Sequence, residues 1–484
     1  MAGLSGIAAN DGVVKVDEVN TLAQTRAAQP GWAAVPLPQR LAVVRRLRRA
    51  IARDPWRLVR AVPPPRAPAE TLAAEILPLA EAARFLEREA PGLLASRRPR
   101  GDRPLWLWGV QARVWREPVG IVLILGPSNY PLMLPGVQTL QALTAGNGVC
   151  LKPAPGCAEP ARVLAGMLAE AGLPAGVLAV LDDSPAAGAA AVAAGADRIV
   201  LTGSAATGAR VLAAAAPHLT PATMELSGCD AMFVLDGADL DLVADCVCYG
   251  LRLNAGATCI APRRVFVPRA QAHALERAIV ARLRGIPAAR LPAPVAALLD
   301  EMLDEAAAAG GRVLGRREGA ATGPLLVADA TAAMRVARED LFAPVAALIA
   351  VDGIAAALEA AATCRYALGA SVFGPPAAAL AVAAQVRAGS VVVNDIIVPT
   401  ADPRLAFGGR GASGFGVTRG AEGLLEMTAL KAVSVRRGAF RPHLRAPEPG
   451  DAARMAALLE LAHGGGLPRW SVLRALLARP AKGK

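Results

Sequence analysis

The sequence is short of aromatic residues, of histidine and of paired cysteines, and each shortage excludes a chemistry. Phe, Tyr and Trp make up 4% of its 484 residues, too few to interleave with arginines as single-strand nucleic-acid binders require. Its four histidines, His218, His273, His443 and His463, stand at no metal-ligand spacing, so no metal site is expected. Seven cysteines are scattered without a CxxC pair, the pattern of a reduced compartment and not of a disulfide framework. The N-terminus has no basic start and no apolar segment, so no secretory signal is read and a cytoplasmic location is expected. Of the net charge of +12, half falls in residues 437–484, with nine Lys/Arg against three Asp/Glu. The rest is only mildly basic, which argues against a nucleic-acid partner.

What is present is a globular composition. The chain is 54% hydrophobic and 19% charged, enough apolar surface for two to four domains at about 150 residues each. Between Glu117 and Lys152 no charged residue occurs, but Pro127, Pro131, Pro135, Ser128, Asn129, Gln138, Gln141 and Asn147 interrupt the stretch. A lipid-exposed helix rarely carries so many breakers and amides. A buried strand, loop and helix are expected there instead, with no membrane span.

Leu41, Val44, Leu47 and Ile51 recur at helical spacing among six arginines, which predicts an amphipathic surface helix. A second helix is expected over 69–89. From Gly120 short apolar runs (121–125, 148–152, 176–181, 197–202, 222–226) alternate with Ala-rich segments of helical length. A second such series follows at 230–235, 263–267, 346–351, 370–374 and 390–394. The expected fold class is α/β, with two open, mainly parallel, doubly wound sheet domains and a cleft between them. Two segments fit neither series: 106–115 and 429–437 alternate like edge strands and need a neighbouring sheet or another subunit to cover them. The tail is expected to be briefly helical over 452–462 and 470–478.

Three local patterns carry chemistry, each with a plainer reading beside it. Gly203-Ser204-Ala205-Ala206-Thr207-Gly208 follows a strand and opens a helix; it is either a phosphate cradle or an ordinary Gly-Ser helix cap. Glu225, at the end of the ATMEL run, is a surface carboxylate or a base with a pKa raised by burial. Cys259 lies in a Gly/Ala-rich loop ahead of a strand, as a structural thiol or a nucleophile.

In order along the chain stand GPSNYPLMLPG, LKPAP, LTGSAATG, MELSG, NAGATCIAPRRV, EDLFAPV and FGGRGASGFG, from Gly126 to Gly416. With these motifs, and with Glu225 and Cys259 34 residues apart, the chain resembles the aldehyde dehydrogenase superfamily from about residue 38 to residue 437. The resemblance implies an NAD- or NADP-dependent oxidation of an aldehyde to a carboxylic acid. Cys259 would attack the aldehyde carbon, Asn129 would hold the oxyanion, and Glu225 would activate water to hydrolyse the thioester. Lys152, Gly203, Ser204, Gly208, Leu226, Asp340 and Phe342 would contact the dinucleotide. The resemblance also implies a dinucleotide-binding domain over 1–105 and 119–227, with the N-terminal helices, and a catalytic domain over 228–412. It further implies oligomerisation strands at 106–118 and 429–437, a basic extension at 438–484, and a homodimer or homotetramer.

Some positions depart from the family's pattern: Ser128 precedes Asn129 where tryptophan is usual, and Pro155 stands where NAD-preferring members often carry a glutamate. Asp340 replaces a longer glutamate, and Ala343 a glycine. Pro155 removes a carboxylate that would repel a 2′-phosphate, so NADP is expected to serve about as readily as NAD. Thr258 and Ile260 offer no cation beside Cys259, which favours a neutral apolar or aromatic aldehyde. Two alternatives stand beside this reading: transfer to coenzyme A instead of water, and a nucleotide-binding scaffold without catalysis.

Overall fold

The computed structural model describes residues 18–465, except 64, 65, 102, 105, 106, 108, 319, 320 and 440, together with residue 470. The strands are β1 (Val110–Pro118), β2 (Ile121–Leu125), β3 (Gly148–Lys152), β4 (Leu178–Val180), β5 (Arg198–Gly203) and β6 (Ala222–Leu226). They continue with β7 (Asp230–Val234), β8 (Pro262–Pro268), β9 (Ala289–Arg290), β10 (Arg312–Glu318), β11 (Ala321–Ala328) and β12 (Val345–Val351). The last are β13 (Tyr366–Ala367), β14 (Gly369–Phe373), β15 (Ser390–Val393), β16 (Arg410–Gly411), β17 (Gly414–Phe415) and β18 (Thr428–Arg436).

The first sheet runs β17-β6-β5-β2-β3-β4. Its five longer-range neighbours β2 to β6 are parallel, and only β17 is antiparallel, against β6. Every residue of β2 and β3 is buried, as strands covered by helices on both faces must be. The helix Met133–Ala145, also wholly buried, packs behind them and ends on Gly146, whose φ of +98° gives the left-handed turn back into β3. The strand order reverses between β2 and β5, so the loops after those two strands open a crevice at their C-terminal ends.

The second sheet runs β10-β11-β12-β8-β7-β14-β15, with β9 on β11. It is parallel from β11 to β15, and β10 closes one edge as an antiparallel hairpin. The sequence reading did not anticipate this hairpin or β17. Both main sheets lie in one compact unit, built from the chain up to Arg97 and Val114–Lys431. A second unit holds Arg98–Arg113 and the chain from Ala432 onward.

Several expectations need adjusting. The strand expected at 106–115 begins only at Val110 and continues to Pro118, while Trp106 and Trp108 lie outside the described residues. Its partner is β18, so the two unplaced segments pair with each other. The expected helix over 69–89 starts at Pro68, passes through a π-helical turn at Leu72–Ile76, and runs on as Leu77–Leu93. In the tail, Asp451–His463 is helical, and 471–484 lie outside the described residues. Among the described residues no helix is long and apolar enough to cross a membrane.

Candidate active site

The loop after β2 carries Asn129, and a buried ion pair fixes that loop. Glu75, from the π-helical turn, accepts hydrogen bonds from the N–H groups of Leu132 (2.9 Å) and Met133 (2.7 Å). It thereby caps the helix Met133–Ala145, whose first N–H groups have no partner within the helix. Its other oxygen pairs with Arg66, and both side chains are almost fully buried. Arg66 also donates to the Asn129 carbonyl and lies 4.9 Å from the Tyr130 ring centroid.

The Cys259 loop packs against the Asn129 loop. Asn254 and Ala255 both have φ of 51°, a left-handed conformation costly for residues other than glycine. Side-chain bonds hold it: Asn254 Nδ2 donates to the carbonyls of Asn129 (3.0 Å) and Ala257 (3.1 Å), and its N–H donates to Glu70 (2.7 Å). Arg263, buried in β8, donates to the carbonyls of Gly256 and Ala343. The Tyr130 hydroxyl meets that of Thr258 at 2.8 Å. These contacts bring Asn129 against the Cys259 loop, where Asn129 Nδ2 donates to the Ala257 carbonyl at 3.0 Å. The amide's second N–H remains available.

Glu225, the penultimate residue of β6, stands between Thr202 of β5 and Gly414 of β17. It is 3% exposed. Thr418 Oγ1 donates to its Oε2 at 3.0 Å, while Oε1 has no partner among the described residues. Burial pushes the Glu225 carboxyl above the usual carboxylate range, opposed by the Arg419 charge and by the Thr418 and Thr202 hydroxyls. The half-buried Cys259 thiol is pushed up first by desolvation, then by Glu225, Asp230 and Asp340; Arg419 acts the other way.

The remaining sequence candidates lie along the C-terminal edge of the first sheet or across the cleft from it. Lys152, at the end of β3, donates to the Asp183 carbonyl at 2.9 Å. Ser204 caps the helix Ala205–Ala215 through the Thr207 N–H (3.2 Å). Gly208 faces Leu226, where a Cβ would sit 2.9 Å from the leucine side chain, so its small size serves helix-to-strand packing. The Leu226 N–H is taken by the Ser413 carbonyl at 3.1 Å. Asp340 and the half-buried Phe342 lie in the loop between β11 and β12. Asp340 meets Ser227, and burial raises its carboxyl against the opposing Arg263 charge.

Sequence reasoning missed Arg66, Glu75, Asn254, Arg263, Thr418 and Arg419. Only the two arginines of APRRV carried a signal, as charges inside an apolar strand run. Arg419 is 7% exposed and stacks on the Phe407 ring, 4.2 Å from its centroid.

Comparison with known proteins bears on this arrangement. A sequence model described as the aldehyde dehydrogenase family matches residues 11–433. A putative succinate-semialdehyde dehydrogenase [NADP(+)] of Mycolicibacterium smegmatis is 32% identical over 444 residues, covering 87% of this chain and 85% of the relative. A 4,4′-diapolycopene aldehyde oxidase of Methylomonas is 30% identical over 376 residues, covering 74% of this chain and 70% of the relative. A Mycobacterium tuberculosis aldehyde dehydrogenase solved with NAD+ superimposes with a TM-score of 0.81 at 27% identity, over 89% of this chain and 92% of that one. The chain belongs to the aldehyde dehydrogenase family, as an oxidoreductase acting on the aldehyde group with a nicotinamide nucleotide.

Proposed function

We propose that this enzyme oxidises a neutral, apolar aldehyde to its carboxylic acid, with Cys259 as nucleophile, Asn129 as oxyanion donor and Glu225 as the base of hydrolysis. The carrying observation is that these three are brought together near the C-terminal ends of β2 and β6, with the buried Glu225 Oε1 lacking a hydrogen-bond partner among the described residues and Cys259 half-buried. Cys259 Sγ, its proton released to solvent, adds as a thiolate to the aldehyde carbon. The oxygen then becomes an oxyanion, which accepts the free N–H of Asn129; one such donor contributes about 100- to 1000-fold. Loss of hydride from that carbon leaves a thioester on Cys259. Glu225 Oε1 then takes a proton from water as the water oxygen attacks, and the carboxylic acid leaves with the thiol restored.

A nicotinamide nucleotide, when bound, supplies the hydride acceptor. The residues present fit one: the helix Ala205–Ala215 offers its N-terminal N–H groups after β5. Lys152 adds a cation at the same edge, and Asp340 Oδ1 is buried without a partner among the described residues. Beside Pro155 a carboxylate nevertheless stands: Asp183 Oδ2 accepts from the Gly156 N–H at 2.8 Å. A 2′-phosphate would therefore meet Lys152 and Asp183 together, and NAD and NADP are both proposed as cofactors. Introducing Pro155→Glu should shift relative binding toward NAD by about 10- to 150-fold, the worth of one hydrogen bond to a charged group.

The crevice between the helices Leu77–Leu93 and Met133–Ala145 supports an apolar substrate. Pro78, Ala82, Phe85, Met133 and Val137 form its apolar wall, and Gln141 and Arg419 line it as well. A solved aldehyde dehydrogenase of Pseudomonas syringae, 28% identical with a TM-score of 0.77 over 86% of this chain and 88% of that one, holds NAD+ and octanal. The β1–β18 ribbon leaves Trp115, Leu430 and Val435 exposed, which supports its burial against another copy in a dimer or tetramer. The free cysteines agree with a cytoplasmic enzyme. The test is a panel of aliphatic, aromatic and carboxylated aldehydes with NAD and with NADP. Medium-chain or aromatic aldehydes should turn over best, and Cys259→Ser should abolish NAD(P)H formation. Equal, negligible turnover across the panel would overturn the reading.

A further inference from the structure

Thr418 and Arg419 form a strand-like bridge to Phe407: Phe407 N–H donates to the Thr418 carbonyl (2.8 Å) and Thr418 N–H to the Phe407 carbonyl (2.7 Å). That bridge aims the Thr418 hydroxyl at Glu225. It also lays the next side chain, Arg419, flat on the Phe407 ring, with Nη1 donating to the Thr400 carbonyl at 2.7 Å. The Arg419 Nε is buried without a hydrogen-bond partner, and no ion pair within 4 Å relieves its charge among the described residues. A buried guanidinium is costly unless an anion balances it. The acidic groups whose charge would act on Arg419 are Glu225, bonded by the neighbouring Thr418, and Cys259 when ionised. Glu225 in turn has one buried oxygen without a partner.

We propose that Arg419 is a positioning residue of the reaction: its guanidinium, clamped on the Phe407 ring and the Thr400 carbonyl, is the buried positive charge that favours the anionic forms of both the Glu225 carboxylate and the Cys259 thiolate. This rests on the roles proposed above for those two residues. The other groups that face them decide how much one cation matters. Glu225 meets the neutral hydroxyls of Thr202 from β5 and Thr418. Cys259 faces the carboxyls of Glu225, Asp230 of β7 and Asp340, which all disfavour a thiolate. Arg263 of β8 and Tyr130 also act on the thiol's charge, but Arg263 is shared with Asp340 and Asp230. Arg419 is thus the cation that serves base and nucleophile together.

The experiment compares wild type with Arg419→Gln and Arg419→Lys. Two pH profiles are read: the steady-state rate, and the rate at which iodoacetamide alkylates the Cys259 peptide without any cofactor or aldehyde. Removing an opposite charge at this range raises a partner's pKa by about one unit or more. Arg419→Gln should therefore move the acid limb of both profiles upward by about one pH unit. Arg419→Lys keeps the charge and should leave both limbs within a few tenths of wild type, even where loss of the stack lowers the melting temperature. If Arg419→Gln cannot be purified, the lysine variant decides alone. A lower rate in Arg419→Gln with both limbs in place would make Arg419 merely structural, and a limb moved by a full unit in Arg419→Lys would overturn the proposal. If wild type reduces neither nucleotide with any aldehyde, the proposed reaction fails, while the alkylation profiles still test Arg419.

Discussion

Glu75 and Glu225 are both sealed from solvent within the same compact unit, yet their surroundings complete one and leave the other open. Glu75 gives one oxygen to Arg66 and the other to two backbone N–H groups, so nothing is left to bind a substrate or a proton donor. Glu225 accepts from Thr418 on one oxygen, while the other, with the Thr202 hydroxyl nearby, has no hydrogen-bond partner among the described residues. Burial raises both carboxyls, and in both it is the largest influence. Burial alone therefore does not distinguish a base, and the unfilled acceptor is what supports the role proposed for Glu225.

Substitutions that remove each charge at constant size should separate the two. Glu225→Gln should cut the steady-state rate by about 100- to 10,000-fold, the contribution of a positioned base, with a smaller loss of stability in urea than Glu75→Gln, because among the described residues Glu225 makes no direct ion pair with the buried Arg419. Glu75→Gln should do the reverse in its primary effect. It leaves Arg66 buried and uncompensated, which costs about 3–5 kcal/mol, read as a lower midpoint of urea unfolding. If Glu225→Gln destabilises the protein as much as Glu75→Gln does, the distinction between them collapses.

Asn129 sharpens the comparison, since Arg66 and Glu75 shape the loop that presents it. Asn129→Ala should lower kcat/KM by about 100- to 1000-fold for an aldehyde substrate. Hydrolysis of an activated ester by Cys259 should suffer comparably, because the same oxyanion forms. The loss of Asn129 without effect on either reaction would remove it from the oxyanion site.

A third buried carboxyl supplies the smallest effect. Asp230 accepts the Gly369 N–H at 3.1 Å, and burial pushes it up to about 7. Its folded pKa lies above the unfolded one, so the folded state holds the proton more tightly. The stability this contributes is full at acidic pH and is lost as pH rises through about 7. Between pH 6 and 8 the folded state should weaken by at most about 1.4 kcal/mol per pH unit from this group. Asp230→Asn should flatten that dependence in thermal melts.

The sequence reveals the inner parallel strands because each is apolar on both faces, as IVLIL and DAMFV are. It hides β10, where Arg312, Arg316, Arg317 and Glu318 interrupt the apolar run, and β17, a two-residue strand paired only through tertiary contact. The site divides along the same line. Asn129, Glu225 and Cys259, the proposed catalytic residues, lie inside recognisable motifs, so local pattern singles them out. Arg66 sits in a proline-rich stretch and meets Asn129 63 residues on. Arg419 follows the glycine-rich motif and reaches Phe407 and the Glu225 environment only through folding. No local periodicity marks a charge whose partner lies so far along the chain.

The open oxygen of Glu225 is proposed to serve hydrolysis and not acylation. Rapid mixing of Glu225→Gln with aldehyde and nicotinamide nucleotide, followed by mass spectrometry of the quenched protein, tests it most directly. One reduced nucleotide per active site should appear in a fast phase, after which the enzyme should stall with the acyl group on the peptide that contains Cys259. Absence of both the fast phase and the trapped acyl group, or an acyl group on Cys229 or Cys246, would contradict the claim.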